Sequence, residues 1–270
     1  MIMVSCEDMV TNIDVPQSEP HYVIHSYISP EDSLLTVIVG KSQPVFGQQN
    51  NDNSWVDQAH VFVNNFELSR DNNNSCCFWA PASVLDIKPG GNYTVLLQIG
   101  TQNICQASCT VPVNRNESII FKDIDSVQNH TSDENSYYDY YVIYSFTDIA
   151  GEENYYKVAL EVLLLDQYSG DTVVFYDYYQ NEQFIKDALF EGGVYTDRIK
   201  LDMAEPVDNI IGFNFILYTC DKNYYNYHRA IFSQTGNNPF SEPVIIPSNV
   251  ENGLGCVAGL RKYTKRVFIR

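Results

Sequence analysis

Apolar and polar residues alternate with a period of two along most of this chain, the spacing of strands with one buried face. HYVIHSYI (21–28) and LLTVIVGKS (34–42) are β-branched and aromatic runs on either side of the turn signal SPEDS, and they predict a hairpin. HVFVN (60–64), SCCFWA (75–80), NYTVLLQIG (92–100) and NICQASCTV (103–111) predict four more strands, separated by the turn-rich clusters GQQNNDNS, RDNNN and IKPGGN. Short strands punctuated in this way predict an immunoglobulin-like β-sandwich over 15–114. The polar runs NRNES and SVQNHTSDENS mark a new section. Longer strands follow at 137–148, 154–167, 171–179, 198–203 and 210–219, so 115–270 reads as a second β-rich domain.

One helix interrupts that second domain. In DKNYYNYHRAIFSQTG, Asp221 or Asn223 can cap the start, and Tyr224, His228, Ile231 and Phe232 fall on one stripe. Gly236 stands where a C-terminal cap belongs, which puts the helix at about 222–235. After it Pro239, Pro243, Pro247 and Gly253 argue against a regular central strand, and YTKRVFIR closes the chain as a strand. PFSEPVIIPSNVENGLG reads as a structural closure, with Asn249 and Asn252 bonded to backbone and Gly253 a candidate for positive φ.

Composition narrows the class. Thirty-four acids against 16 bases give a net charge of −18, which repels phosphate backbones and argues against nucleic acid as a partner. Five of the bases lie in RKYTKRVFIR, so the C-terminal edge is locally positive. No run approaches the roughly 18 apolar residues of a membrane-spanning helix. Of the seven cysteines, setting Cys6 aside leaves Cys76, Cys77, Cys105, Cys109, Cys220 and Cys256. An even set suits disulfides, and a bridge between the Cys76/Cys77 and Cys105/Cys109 pairs is the favoured reading. Buried free thiols are the alternative. A zinc site fits less well, because adjacent cysteines lack the usual spacer.

Candidate chemistry is sparse. His21 and His25, four apart on a strand, lie roughly 13 Å from one another and cannot share a metal. His228 on an apolar helix stripe reads as a packed or hydrogen-bonded residue. The loop DIAGEEN offers Asp148, Glu152 and Glu153 as hard oxygen ligands for calcium, with a solvated turn as the plainer reading. No serine-hydrolase, zincin, P-loop or dinucleotide-binding motif occurs in a fitting context. In YYDYYVIYSF, alternation places Tyr138, Tyr140, Tyr144 and Phe146 on one face and Tyr137, Tyr141 and Ile143 on the other. If one face is exposed, Tyr137, Tyr138, Tyr140 and Tyr141, with Tyr176 and Tyr178, are the candidate ligand-binding residues.

Several segments together resemble a known family. HYVIHSYI with VIVGKSQPV, DQAHVFV, KPGGNYTVLLQI, FTDIAGEENYYKVAL, and above all NYYNYHRAIFSQTGNNPFSEPVIIPSNVENGLGCVAG are similar to the Bacteroidota family catalogued as domain of unknown function 4249. The order is preserved over nearly the whole chain. After Gly-Leu-Gly the chain departs from the family's Phe-Gly-Ala-like ending with Cys256-Val257-Ala258-Gly259. The resemblance implies an outer-membrane lipoprotein at the cell surface, encoded beside TonB-dependent receptors, with no established catalytic residues. It makes Cys6 the acylated residue, Glu7 and Asp8 a surface-export signal, and Met1 to Ser5 the stump of a cleaved signal, with 1–14 as signal remnant and anchor tail. It also makes Ser33, Ser126 and Thr172, each after an aspartate, candidate O-glycosylation sites. The expected function is an accessory subunit of a TonB-dependent outer-membrane receptor that captures an unknown extracellular ligand, a binding module more than an enzyme. The alternatives are a carboxylate-dependent surface hydrolase and a purely structural or adhesive module.

Overall fold

The computed structural model describes residues 19–43, 54–130, 136–166, 168–176, 182–201, 209–233 and 245–269. The chain is mainly β. The first half gives β1 (Tyr22–Ile28), β2 (Leu34–Lys41), β3 (Ala59–Val63), β4 (Phe66–Glu67), β5 (Ser69–Arg70), β6 (Cys77–Pro81), β7 (Asn92–Ile99) and β8 (Gln102–Thr110). The second gives β9 (Ile120–His130), β10 (Ser136–Thr147), β11 (Tyr155–Leu165), β12 (Thr172–Phe175), β13 (Glu182–Lys186), β14 (Val194–Leu201), β15 (Ile210–Cys220) and β16 (Leu254–Phe268). A single turn, α1 (Ala82–Leu85), and a longer helix, α2 (Lys222–Ser233), complete the described elements.

One core cluster draws mainly on residues before 114 and another on residues after it. In the first, Ile24, Val37 and Phe78 from β1, β2 and β6 meet Val61, Val95 and Leu97 from the sheet β4-β3-β7-β8. In the second, Tyr144 and Phe146 from the sheet β14-β10-β9 meet Tyr156, Leu160, Phe213 and Phe215 from β11 and β15. Each core lies between two sheets, as in a sandwich. Val250 and Val257, late in the sequence, complete the first core.

That late segment corrects one expectation. The segment after the prolines leads into β16, a regular strand in the interior of a sheet ordered β12-β11-β15-β16-β1-β2-β6-β5, with β13 pairing on β11. Residues Leu254 to Gly259 run parallel to β1, and Leu260 to Phe268 run antiparallel to β15, so one strand serves both sandwiches. The glycines permit close approach. A Cβ on Gly255 (φ 116°) would lie 2.0 Å from the Ile24 carbonyl oxygen, and one on Gly259 would lie 2.3 Å from that of Thr110. Gly253 does not carry the expected positive φ. Asn252 does, at 58°, and Gly253 is constrained by space, since its Cβ would meet the Tyr22 carbonyl at 2.8 Å.

Asn249 binds backbone as expected. Its amide accepts from Val257 N at 3.0 Å and donates to Val257 O at 2.7 Å and Ser108 O at 3.1 Å, tying β16 to β8. The basic C-terminal run is spent on the junction between the sandwiches. Arg261 donates to Glu31 at 2.8 Å and to Val113 O at 2.6 Å, while Lys265 donates to Ile119 O at 3.0 Å.

β9 was hidden in the polar section of the sequence. It is an edge strand whose inward side carries only Phe121 and Ile124, beside the buried Ile119, while Asp123 and Asp125 face water. A bulge opposite Ile143 and Tyr144 further breaks its period.

Candidate functional site

Of the six tyrosines offered as a binding patch, Tyr138, Tyr140, Tyr141 and Tyr176 have described side chains, and these do not share one face. Tyr140 packs at the edge of the second core, with exposed Tyr138 6.4 Å from it between ring centroids. Tyr141 is on the opposite face of β10, where the Arg198 guanidinium lies 4.1 Å from its ring. That outer face is charged, with Lys200 paired to Asp139 at 3.0 Å and Arg198 to Asp125 at 3.7 Å. Tyr176, just past β12, donates its hydroxyl to Glu182. Tyr137 contributes backbone to β10 opposite Asn129. Tyr178 and Cys6 lie outside the described residues.

The carboxylates expected to share calcium are also separated. Asp148 is buried and accepts from the Tyr156 hydroxyl and from Gly192 N, each at 2.7 Å. Glu152 accepts from Asn114 at 2.8 Å, and Glu153 pairs with Lys186 at 2.5 Å. Asp148 instead neighbours Asp187 and Glu191, with an oxygen of each within 4.8 Å of the others. Burial, and then the neighbouring acids, push the Asp187 carboxyl up. Such a trio can share a proton or hold a hard cation. Each member also anchors a loop through a backbone amide, with Asn154 N on Asp187 at 2.6 Å and Gly151 N on Glu191 at 2.7 Å.

The expected bridge between cysteine pairs does not form, and all six described cysteines are free thiols. Cys105 and Cys109 face the first core from β8, whereas Cys77 begins β6 in the opposing sheet. Burial pushes the Cys105 thiol up to about 11, and these cysteines behave as small core residues. Ser33, Ser126 and Thr172 are all exposed.

Beneath α2 lies a dense polar nest. Asp221 caps the helix, accepting from Tyr224 N and Gly259 N at 2.9 Å each, and thereby fastens the helix start to β16. Burial pushes its carboxyl up to about 6, against the pull of those backbone amides. Lys157 and Glu182 form a buried ion pair at 2.5 Å, with the ammonium 5.0 Å from the Tyr218 ring centroid and 5.9 Å from that of Tyr224. His228 stacks on Phe184, shares a 2.9 Å hydrogen bond with Tyr27, and is pushed down to about 4 mainly by burial. His25 pairs likewise with Tyr227 at 2.7 Å. These groups are matched to one another, so the nest holds the helix against the sheet.

An open site lies on the other half of the molecule. The outer face of β3, β7 and β8 carries a groove of about 290 Å³. Its floor is Phe62 and Leu96, directly opposite one another across β3 and β7, with Gln106 next in the same row on β8. Asn64 and Asn65 form one wall. Both have positive φ, 46° and 69°, as the two-residue turn from β3 to β4 requires. Asn64 is braced by Thr94 N at 2.8 Å and by Asn92 O at 3.1 Å. Gln98, at the bulge in β7, donates to Asn103 at 2.7 Å, and Gln106 donates to Glu251 at 2.7 Å.

A family model described as "Domain of unknown function (DUF4249)" matches residues 10–266. The chain belongs to this family. No curated protein matches this DUF4249 member. Among solved structures, a chain titled "Biofilm associated protein - BSP domain" aligns with 93% of the DUF4249 chain at 8% identity and a TM-score of 0.20, and the aligned region covers 59% of that other chain. The groove of this DUF4249 protein was not singled out from sequence. Its signal was present in HVFVNN, where Phe62 stands in the outward phase of a strand between core-facing Val61 and Val63.

Proposed function

We propose that this protein is a non-catalytic capture module, held at the cell surface of the outer membrane by acyl chains on Cys6 and docked on a TonB-dependent receptor. The observation that carries the capture role is the preformed groove on the first sandwich. An apolar floor under fixed amides is the form a small-ligand site takes. A purely adhesive module would need no such depression. The lining of the groove includes no carboxylate. The one close carboxylate trio among the described residues, Asp148, Asp187 and Glu191, is committed to holding loops. Membrane attachment and the receptor partnership rest on the family resemblance and on Cys6-Glu7-Asp8.

The test is affinity recovery of the tagged protein from outer membranes after mild crosslinking, with intact-mass analysis of its N-terminus. Acylated Cys6 and a co-recovered TonB-dependent receptor are the expected result. An unmodified Cys6, or repeated recovery without any such receptor, overturns the anchoring or the docking respectively.

A further inference from the structure

The chain carries a net charge of −18, yet none of the residues lining the groove is ionisable. The charged groups beside it are already hydrogen-bonded. Glu67, opposite Phe62 on β4, accepts from His60 Nδ1 at 2.6 Å, and Glu251 accepts from Gln106. A cationic ligand would find no carboxylate on the floor, and an anionic one would meet the field of an acidic protein with no base to offset it.

What the groove does offer is a ring and a branched aliphatic side chain side by side, edged by primary amides. Each amide presents a donor and an acceptor together. The Gln98 carbonyl oxygen is not consumed by its bond to Asn103, and the Asn65 amide makes no hydrogen bond within the described residues. Asn64, by contrast, is fully spent on the backbone. The turn thus fixes one asparagine as a brace and leaves its neighbour to face a ligand.

We infer that this groove binds a neutral saccharide, with a C–H face of one sugar ring on Phe62 and Leu96 and its hydroxyls paired to Asn65 and Gln98. A sugar hydroxyl both donates and accepts, as an amide does, and the apolar face of a pyranose needs a flat apolar floor in place of charge. The spacing of the floor residues suits this, since Cβ atoms directly opposite on neighbouring strands are roughly 5 Å apart, about the width of one sugar ring. This inference rests on the capture reading of the groove and adds the class of ligand.

The experiment titrates the full chain with neutral oligosaccharides of glucose, xylose, mannose and galactose, following backbone amide shifts by NMR. At least one sugar is expected to shift Phe62, Asn65, Leu96 and Gln98 together, saturably. Phe62→Ala should weaken that binding by about tenfold or more. Asn65→Gly, which keeps the positive φ and removes only the amide, should weaken it severalfold with an unchanged melting temperature. If no sugar shifts the groove but an uncharged peptide library does, the saccharide assignment falls and the capture reading stands. If sugars bind and shift only residues elsewhere, the assignment of this groove falls as well. If neither sugars nor peptides shift the groove, both readings of it fall.

Discussion

The two sandwiches fill the same kind of space with different side chains. The first core is mainly aliphatic, built from valines, isoleucines, leucines and small cysteines around Trp55, Phe78 and Tyr93. The second is aromatic, with Tyr144, Phe146, Tyr156, Phe213 and Phe215 among its most buried residues. Of the 20 tyrosines only Tyr22, Tyr27 and Tyr93 precede residue 115. An aromatic core has to satisfy hydroxyls, and this explains the polar atoms that accompany it. Tyr156 donates to buried Asp148, and Tyr144 to Gln183. The first half has one such hydroxyl in its core, that of Tyr93, which is satisfied by Lys88 N and Asp86 O. The proposed ligand face lies on this half, where tyrosine is scarce.

The largest expected effect attacks the buried charge that the aromatic half tolerates. Lys157→Met leaves Glu182 buried without its partner and should cost about 3 to 5 kcal/mol, measured by denaturant unfolding. Lys157→Met combined with Glu182→Leu should recover most of that loss. A single variant as stable as the parent would mean that the pair is not closed off from water.

A smaller effect separates the halves by pH. Asp221 has its folded pKa raised from an ordinary 3.8 to about 6. The folded state then binds this proton more tightly than the unfolded chain does. The stability it contributes is complete below pH 4 and is lost as pH rises through 6, by on the order of 2 to 3 kcal/mol. Asp221→Asn should remove that slope, at a constant cost from setting an amide N–H against Gly259 N–H. Parallel stability curves for the two proteins between pH 4 and 7 would refute the assignment.

The smallest effect sharpens the contrast most directly. Tyr138→Ala, at an exposed ring of β10, should change stability by no more than about 0.5 kcal/mol and leave ligand shifts in the groove unaltered. Loss of binding in this variant would return the ligand face to the tyrosine-rich half.

Much of this architecture was legible in the sequence. The hairpin around SPEDS, the strands of alternating Val, Ile and aromatic residues, and the helix capped by Asp221 all follow from local periodicity and turn chemistry. β9 was not legible, because an edge strand needs few apolar residues and its bulge breaks the alternation. Nor was β16. Its glycines are what a disordered or turning segment would also have, and only the neighbouring carbonyls of Ile24 and Thr110 explain them. The disulfide expectation failed, and the acids beside Asp148 differ from those expected, for the same reason. Proximity in sequence put Glu152 and Glu153 beside Asp148, whereas the fold brings Asp187 and Glu191 there from another loop.

The parallel pairing of Val23 with Leu254 has a consequence for timing. The first sandwich lacks a central strand and two core valines until the last residues of the chain arrive. Pairings between distant parts of a chain are slow to form, because the intervening loop must close first. A chain that emerges from its N-terminus, from a ribosome or through a membrane pore, cannot finish its first unit before its last strand is free. The early strands must wait with an unpaired edge, a state that invites aggregation and calls for a chaperone.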